Sequence, residues 1–283
     1  MSDNKSLVHI GDISKPVTVL IEKISNAIGI VYEPKRIVNK AKAEAEAKKI
    51  KALSKIELDD LEQRTFQRVL QQEIRKQENI EQITAKAIES LALDANVENL
   101  EEDWVAHFFK QCDTVSDEAM QSLWSKLLSG EASNPGTFSK RTVDFISRLD
   151  KKDAELFTIF CQFNWLSGGI VPLVYDIKHD VYKKQGIDFS SLKHLDSLGL
   201  ISFESLAGYS SEIAAKHANI SYYEKSVLLE FPSETNNRFD LGHVILTSIG
   251  GELAPICGSI ENPEFYEYIT DKWRKESLLK DSI

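Results

Sequence analysis

The segment DIKHDVY, residues 176–182, is where a histidine stands closest to carboxylates in this sequence. Asp176, His179 and Asp180 fall within one helical turn, and such a group can hold a metal ion or exchange protons with a substrate. No second histidine follows at the spacing of a metal ligand, because the six histidines are scattered along the chain. The start of a surface helix explains the same residues, so both interpretations stay open.

The loop NPGTFSKRT, residues 134–142, combines turn residues with cations. Ser139, Lys140, Arg141 and Thr142 stand where the next helix is predicted to begin, and the N–H groups of a helix start attract anions. These four residues are the candidate anion-binding loop, which would cradle a phosphate or a nucleotide. The alternative, which we favour, is a capping loop whose cations pair with acidic residues of the 57–103 region.

Familiar catalytic motifs are missing from the sequence. It contains no HExxH, P-loop, GxGxxG or GxSxG pattern, so we predict no catalytic residue, no metal ligand and no cofactor. Cys112, Cys161 and Cys257 lie far apart in apolar neighbourhoods without a CxxC pair, which favours free thiols in a reducing cytoplasm. The sequence leaves enzymatic activity open and favours a protein without it.

Composition and charge narrow the function classes. The chain has 283 residues, 42% of them hydrophobic and 28% charged, which is typical of a folded protein. Its net charge of −10 argues against general nucleic-acid binding, because neutralising phosphates needs a basic face. The charge is uneven: residues 35–55 carry a net +6, whereas residues 57–103 carry −8. Residues 1–13 are polar and no apolar run approaches a membrane span, so we expect a cytoplasmic protein.

An amphipathic helix is predicted over residues 14–30, with Ser14 as its cap, Pro16 in its first turn and Gly29 at its end. Its apolar residues at helical spacing form a candidate oligomer or membrane face, consisting of Val17, Leu20, Ile21, Ile24 and Ile28. In one interpretation this face packs on the rest of the fold or on a neighbouring subunit. In the other it lies on a membrane, beside the basic flank that begins at Lys35 and Arg36.

From Pro34 to Leu93 the sequence contains no glycine and no further proline, and it is rich in helix formers. A long charged helical region is therefore predicted. The candidate basic contact patch on it comprises Lys35, Arg36, Lys40, Lys42, Lys48, Lys49, Lys51 and Lys55. This patch can meet lipid, nucleic acid or the acidic face of a neighbouring subunit, and the acidic remainder of the chain favours the subunit. An apolar seam follows without a strict heptad, at Ile50, Leu53, Ile56, Leu58, Leu61, Phe66, Val69, Leu70 and Ile74.

We predict a mainly α protein of the α+β class with four segments: an amphipathic segment 1–34, a charged helical region 35–102, a helical bundle 103–165 and a last domain 166–283. In the bundle, Ser116 is predicted to cap a helix that ends at Gly130. In the last domain, helices are expected from Asp188 to Gly199 and from Pro263 to Leu279. Residues 205–219 are predicted as a polar loop and residues 220–231 as one strand.

The pattern LKHLDSLGLISFE, followed by strands and by LTSIGGEL, resembles a winged-helix module over about residues 150–257. The resemblance implies a recognition-helix surface made of Ser190, Ser191, Lys193, His194 and Asp196. One sure cation and one acid suit DNA poorly, so contact with a protein is favoured over DNA binding.

Several further motifs extend along almost the whole chain, namely IEKISNAIG followed by EPKRI, the AKAEAEA run, QSLWSKLLSGEASNPGTFSKRTVDFISRLDKKDAELF and LTSIGGELAPICGS. Together they resemble an uncharacterised bacterial family of unknown function. The block at 121–157 also resembles the abortive-infection alpha family, which implies a role in bacteriophage defence. We therefore expect a non-enzymatic homo-oligomer that contacts a protein partner such as a phage component. The alternatives are a peripheral effector of the inner membrane that inserts the 14–30 helix, and a winged-helix nucleic-acid regulator.

Overall fold

The structure is a computed structural model, and it describes residues 14–29 and 60–279. These residues form a mainly helical protein with small β-sheets towards its C-terminal end, which confirms the predicted α+β class. Contacts along the chain group it into two compact units, Met1–Ser147 and Arg148–Ile283. The junction between them falls inside the segment 103–165 that was predicted as a helical bundle.

The first unit is helical throughout its described part. Its helices are α1 (Lys15–Ile28), α2 (Asp60–Glu89), α3 (Glu102–Gln111), α4 (Glu118–Ser133) and α5 (Lys140–Ile146), with single 3₁₀ turns at Val97–Asn99 and Cys112–Thr114. α2 packs along α4, and α1 packs on α3. Their shared core is aromatic, because Phe108 stacks on Trp104 at 5.2 Å and meets Trp124 edge-on at 5.1 Å between ring centroids.

The ends of α1 follow the sequence prediction, whereas those of α4 do not. α1 begins after Ser14, with Pro16 in its first turn, and ends at Gly29 with a left-handed φ of 67°. α4 is capped by Asp117, whose carboxylate accepts hydrogen bonds from two backbone N–H groups, so the predicted Ser116 cap is wrong. The predicted end at Gly130 is also wrong, because α4 continues to Ser133.

Gly130 is required by packing rather than by helix termination. A Cβ atom at this position would stand 2.7 Å from Cε2 of Phe138, whose ring is buried against the helix. The missing side chain therefore lets the loop after α4 fold back onto it.

The second unit combines five helices with eight short strands in its described part. The helices are α6 (Lys151–Phe160), α7 (Asp180–Lys183), α8 (Phe189–Leu198), α9 (Ser248–Leu253) and α10 (Pro263–Lys275), with a 3₁₀ turn at Cys161–Phe163. The strands are β1 (Asn164–Leu166), β2 (Ile170–Pro172), β3 (Ile201–Phe203), β4 (Tyr209–Ile213), β5 (His217–Tyr222), β6 (Lys225–Glu230), β7 (Asn237–Gly242) and β8 (Val244–Leu246).

Strands β3 to β8 form nested antiparallel pairs: β3 with β8, β4 with β7, and β5 with β6. The chain turns back at Tyr223, which has a positive φ of 49°. β5 also pairs with β1, so the innermost hairpin belongs to a four-stranded sheet in the order β2–β1–β5–β6. The hairpin that follows α8 is therefore long, and its end, formed by β5 and β6, belongs to the four-stranded sheet.

Two predictions for this region are wrong. Residues 205–219 are not a polar loop, because they contain β4 and the start of β5, and residues 220–231 are a hairpin rather than one strand. No side chain of β4 is fully buried, so its strand conformation comes from pairing with β7 and leaves little trace in the hydrophobic pattern.

α10 covers the inner face of the four-stranded sheet. Trp165 of β1 stacks on Tyr266 at 5.7 Å and meets Trp273 edge-on at 4.8 Å between ring centroids. The backbone N–H of Asn262, the residue that caps α10, donates to the Tyr222 hydroxyl at 2.7 Å. Aromatic contacts and one buried hydroxyl thus fix the helix to the sheet.

Candidate functional site

The first half of α2 carries several of the exposed large apolar side chains among the described residues. Residues 60–75 are exposed apart from the half-buried Leu70, whereas Asn79, Ile80, Ile83, Thr84 and Ala87 in the second half are buried. We call residues 60–75 the overhang, because here α2 extends beyond the described residues that it packs against.

The overhang carries large apolar side chains on the face that is buried further along α2, and we call them the overhang stripe: Leu61, Phe66 and Val69. Ile74 is also exposed, but it lies on the other side of the helix. Leu61 is 65% exposed and Phe66 is 43% exposed. Val69 precedes the buried Ile80 by about three helical turns, so the stripe continues the face that packs against α4 further along the helix. The helix face is the same, but in the overhang no described residue covers it. Exposed apolar clusters of this kind commonly mark contact surfaces.

A buried polar network sets the direction in which the overhang points. The Asn79 side chain donates to the Asp113 carbonyl at 3.0 Å and accepts a hydrogen bond from the Ser116 hydroxyl at 3.1 Å. Gln121 of α4 approaches the same Asn79 oxygen and donates to the Val115 carbonyl at 3.0 Å. Lys76 adds exposed ion pairs to Glu73 and Asp113. A satisfied buried network tends to hold a single geometry, so α2 leaves the bundle at a defined angle.

The predicted oligomer or membrane face of α1 is partly used inside the first unit. Leu20 and Ile24 are fully buried, while Val17, Ile21 and Ile28 are half-buried. α1 packs on α3, and its Lys23 donates to the Leu100 carbonyl at 2.7 Å. The packing agrees with the interpretation in which this face rests on the fold. Among residues 14–29 and 60–279, no helix has the length and apolar character needed to cross a membrane.

The basic contact patch lies outside the described residues. All eight of its cations, from Lys35 to Lys55, fall in the interval between α1 and α2. The patch therefore stays a prediction from charge alone.

The candidate anion-binding loop is organised from within by Glu131. Its buried carboxylate accepts hydrogen bonds of 2.7 Å from the N–H groups of both Gly136 and Phe138. Burial raises the pKa of this carboxyl, and the backbone hydrogen bonds oppose the rise. The N–H groups of the loop are thus already occupied by its own glutamate. Sequence reasoning missed Glu131, since a charged residue in a helix is usually exposed.

Two of the four predicted loop residues form the cap of α5. The Ser139 hydroxyl accepts a hydrogen bond from the Thr142 N–H at 3.3 Å, and Thr142 is fully buried. Lys140 and Arg141 are exposed at the start of α5. The capping agrees with the capping-loop alternative. The pairing of its cations with acidic residues of the 57–103 region stays a prediction.

The Asp176–Asp180 cluster is a helix start. Nδ1 of His179 accepts a hydrogen bond from the Val181 N–H at 3.3 Å, and Asp176 caps the turn before it by accepting from the Lys178 N–H. The His179 ring stacks on Tyr268 at 4.1 Å. In the part of the chain that the structure describes, no group of three or more His, Cys, Asp or Glu residues is placed to hold a metal ion.

A cleft of about 590 Å³ lies next to His179 along α10. Its charged side chains are paired locally: Lys272 bonds Glu276, Glu264 bonds Lys184 at 2.7 Å, and Asp271 bonds Arg274 at 2.6 Å. Lys275 also lines the cleft, and one exposed lysine beside locally paired charges does not define a reaction, so we assign none to it.

Two further histidines form pairs with carboxylates. His107 lies 2.9 Å from Asp144 in the first unit, and His194 lies 2.7 Å from Asp153 in the second. In neither pair does a described nucleophile form a hydrogen bond with the histidine ring, as a catalytic triad requires; the Ser197 hydroxyl donates to the backbone carbonyl of His194.

The predicted recognition-helix surface on α8 is engaged in local contacts. Ser191 completes a capping box with Asp188, and Lys193 pairs with Asp196 at 3.0 Å. The His194 ring contacts Asp153, so both Lys193 and His194 face carboxylates of the same unit. DNA binding stays unfavoured on this geometry, because phosphates would have to displace those carboxylates.

Fold and candidate site together define a mainly helical α+β protein that exposes an apolar helix face. Residues 63–270 match the model of the family described as Protein of unknown function (DUF2806), and the chain belongs to this family. The predicted resemblance to an uncharacterised family of unknown function is thereby confirmed. No curated protein and no solved structure matches the chain. The resemblance to the abortive-infection alpha family stays a prediction.

Proposed function

We propose that this protein is a self-associating, non-enzymatic protein in which the overhang stripe binds a second copy of the chain. The observation that carries the proposal is the exposure of Leu61, Phe66 and Val69 on a helix whose second half buries the same face. Covering apolar surface contributes about 25 cal/mol per Å², so leaving this stripe in water is unfavourable unless a partner covers it.

Charge favours a second copy as that partner. Residues 35–55 carry a net charge of +6 and residues 57–103 a net charge of −8. The basic segment of one copy can therefore attract the acidic segment of another. In a two-fold contact the same patch of each copy takes part, so the stripes of both copies are buried together. Opposite charges on the two sides also steer the copies into register.

The biological setting in the proposal is abortive-infection defence, and its support is the sequence resemblance at 121–157. The winged-helix likeness belongs to the same proposal, supported by α8, the β3–β8 pair and α9. In that proposal the winged-helix-like region binds a partner protein, for example a phage component. The chain itself acts in the cytoplasm. The peripheral-membrane alternative would require Leu20 and Ile24 to leave their packing on α3.

The test is the mass of the full chain in solution across a range of concentrations, measured by size-exclusion chromatography with light scattering. We expect an oligomer that shifts to monomer in Phe66→Glu/Val69→Glu, because two charges would be buried at the interface. The matched control is Gln67→Glu/Gln71→Glu, which adds the same charge on exposed residues of the opposite helix face and should leave the oligomer intact.

A monomeric wild type at every concentration would overturn the proposal. An oligomer that survives the stripe variant would also overturn it, since the contact would then lie elsewhere. Circular dichroism on both variants checks that helix content is unchanged.

A further inference from the structure

We propose that Cys161 and Cys257 form a reversible disulfide, so that the second unit contains a redox-sensitive pair of thiols. They are 96 positions apart in the sequence, and no spacing motif connects them. The fold brings them together, because Cys161 follows α6 directly and Cys257 follows α9.

The first argument is the contact between the elements that carry the two cysteines. The Thr158 hydroxyl of α6 donates to the Cys257 carbonyl at 3.2 Å, and Thr158 precedes Cys161 by about one helical turn. The Cys257 thiol donates to the Ala254 carbonyl at 3.2 Å, and it lies near enough to Cys161 to contribute to the raised pKa of that thiol. A disulfide requires backbones that are already near each other, and the Thr158 hydrogen bond shows this for the two elements.

The second argument is that the two thiols differ in access. Cys161 is buried, whereas Cys257 is partly exposed. Burial also raises the pKa of Cys161 well above its ordinary value, which keeps that thiol protonated. An oxidant from solution therefore reaches Cys257 first, and Cys161 is in place to resolve the product.

The proposed oxidant is a hydroperoxide such as hydrogen peroxide. The Cys257 sulfur attacks one peroxide oxygen, the O–O bond breaks, and Cys257 becomes a sulfenic acid while one water leaves. The Cys161 sulfur then attacks the Cys257 sulfur, the S–S bond forms, and the sulfenic oxygen leaves as a second water with the Cys161 proton. Two thiols are oxidised by two electrons and one peroxide is reduced to two waters. A dithiol reductant reverses the reaction.

The third cysteine provides an internal reference. Cys112 belongs to the first unit, is fully buried, and its thiol donates to the Phe108 carbonyl at 3.4 Å. We therefore expect it to stay reduced under mild oxidation.

The experiment treats the full chain with hydrogen peroxide, then denatures it, alkylates the free thiols with a maleimide and counts the adducts by mass spectrometry. We expect three adducts before oxidation and one after it, with dithiothreitol restoring three. Digestion should yield one crosslinked peptide pair containing Cys161 and Cys257. Cys112→Ser is the matched control and should form the same crosslink.

Cys161→Ser removes the resolving thiol, so Cys257 should accumulate as a sulfenic acid that dimedone traps. Three adducts on oxidised wild type would overturn the proposal. It would equally be overturned if Cys257 were oxidised to sulfinic acid without a crosslink, or if the crosslinks formed only between chains.

Discussion

At the scale of single residues, Gly250 shows how closely the second unit is packed. A Cβ atom there would stand 1.9 Å from the Leu200 carbonyl oxygen, which is far inside contact distance. Thr247 caps α9 beside it, and the Thr247 hydroxyl also donates to the Gly199 carbonyl at 2.6 Å. The LTSIGGEL motif thus encodes the start of α9, which packs against Gly199 and Leu200 directly after α8. Its first glycine is needed for that approach.

The neighbouring glycine gives a matched test of this argument. We expect Gly250→Ala to lower the free energy of unfolding by about 3 kcal/mol, because the Leu200 backbone must move. A Cβ atom at Gly251 would meet nothing within 4 Å. We therefore expect Gly251→Ala to be neutral or stabilising by up to about 1 kcal/mol through helix propensity. Urea denaturation of both variants measures the difference, and equal losses would contradict the packing argument.

At the scale of elements, α1 is a docked helix of the first unit. Leu20 and Ile24 are fully buried on α3, while Glu22 between them is exposed. An amphipathic stripe alone cannot distinguish a helix that docks on its own fold from one that docks on lipid, since both need one apolar face. The packing on α3 shows which surface covers Leu20 in this structure.

Leu20→Ala tests the docking of α1. Removing a buried leucine side chain should lower the free energy of unfolding by about 3 kcal/mol, through lost burial and the cavity left behind. The control Glu22→Ala changes an exposed residue of the same helix and should remain within about 0.5 kcal/mol of wild type. If chemical denaturation gave the same midpoint for both variants, α1 would not be docked in solution.

Elements with strong local signals were predictable from the sequence, whereas long-range pairings were not. The helices beginning after Asp188 and Asn262 carry caps and apolar spacing that can be recognised in the sequence. β4 and the turn at Tyr223 depend on partners elsewhere in the chain, so the region was predicted as a loop and one strand. The same limit applies to the candidate sites. Glu131 binding its own loop and Cys161 meeting Cys257 are contacts that only the fold creates.

At the scale of the whole molecule, the arrangement of charge matters more than its total. The chain carries −10 overall, yet residues 35–55 carry +6 and the next stretch, 57–103, carries −8. Two like-charged molecules repel each other at long range, whereas complementary segments attract each other once they are close. The proposed self-association therefore combines an apolar contact at the overhang stripe with attraction between oppositely charged segments.

Salt separates these two contributions. Raising the ionic strength from about 0.1 M to 1 M shortens the Debye length from about 10 Å to about 3 Å, which screens charge attraction and leaves apolar burial in place. We expect the dissociation constant of the oligomer to rise about tenfold over this range, as measured by analytical ultracentrifugation.

Lys48→Gln/Lys49→Gln/Lys51→Gln should weaken the oligomer at low salt and remove most of this salt dependence. Replacing the exposed Lys152, Lys178 and Lys183 by glutamine removes the same charge from the second unit and should preserve the salt dependence. An oligomer whose dissociation constant does not change with salt would show that the basic segment takes no part, and the overhang stripe alone would have to account for assembly.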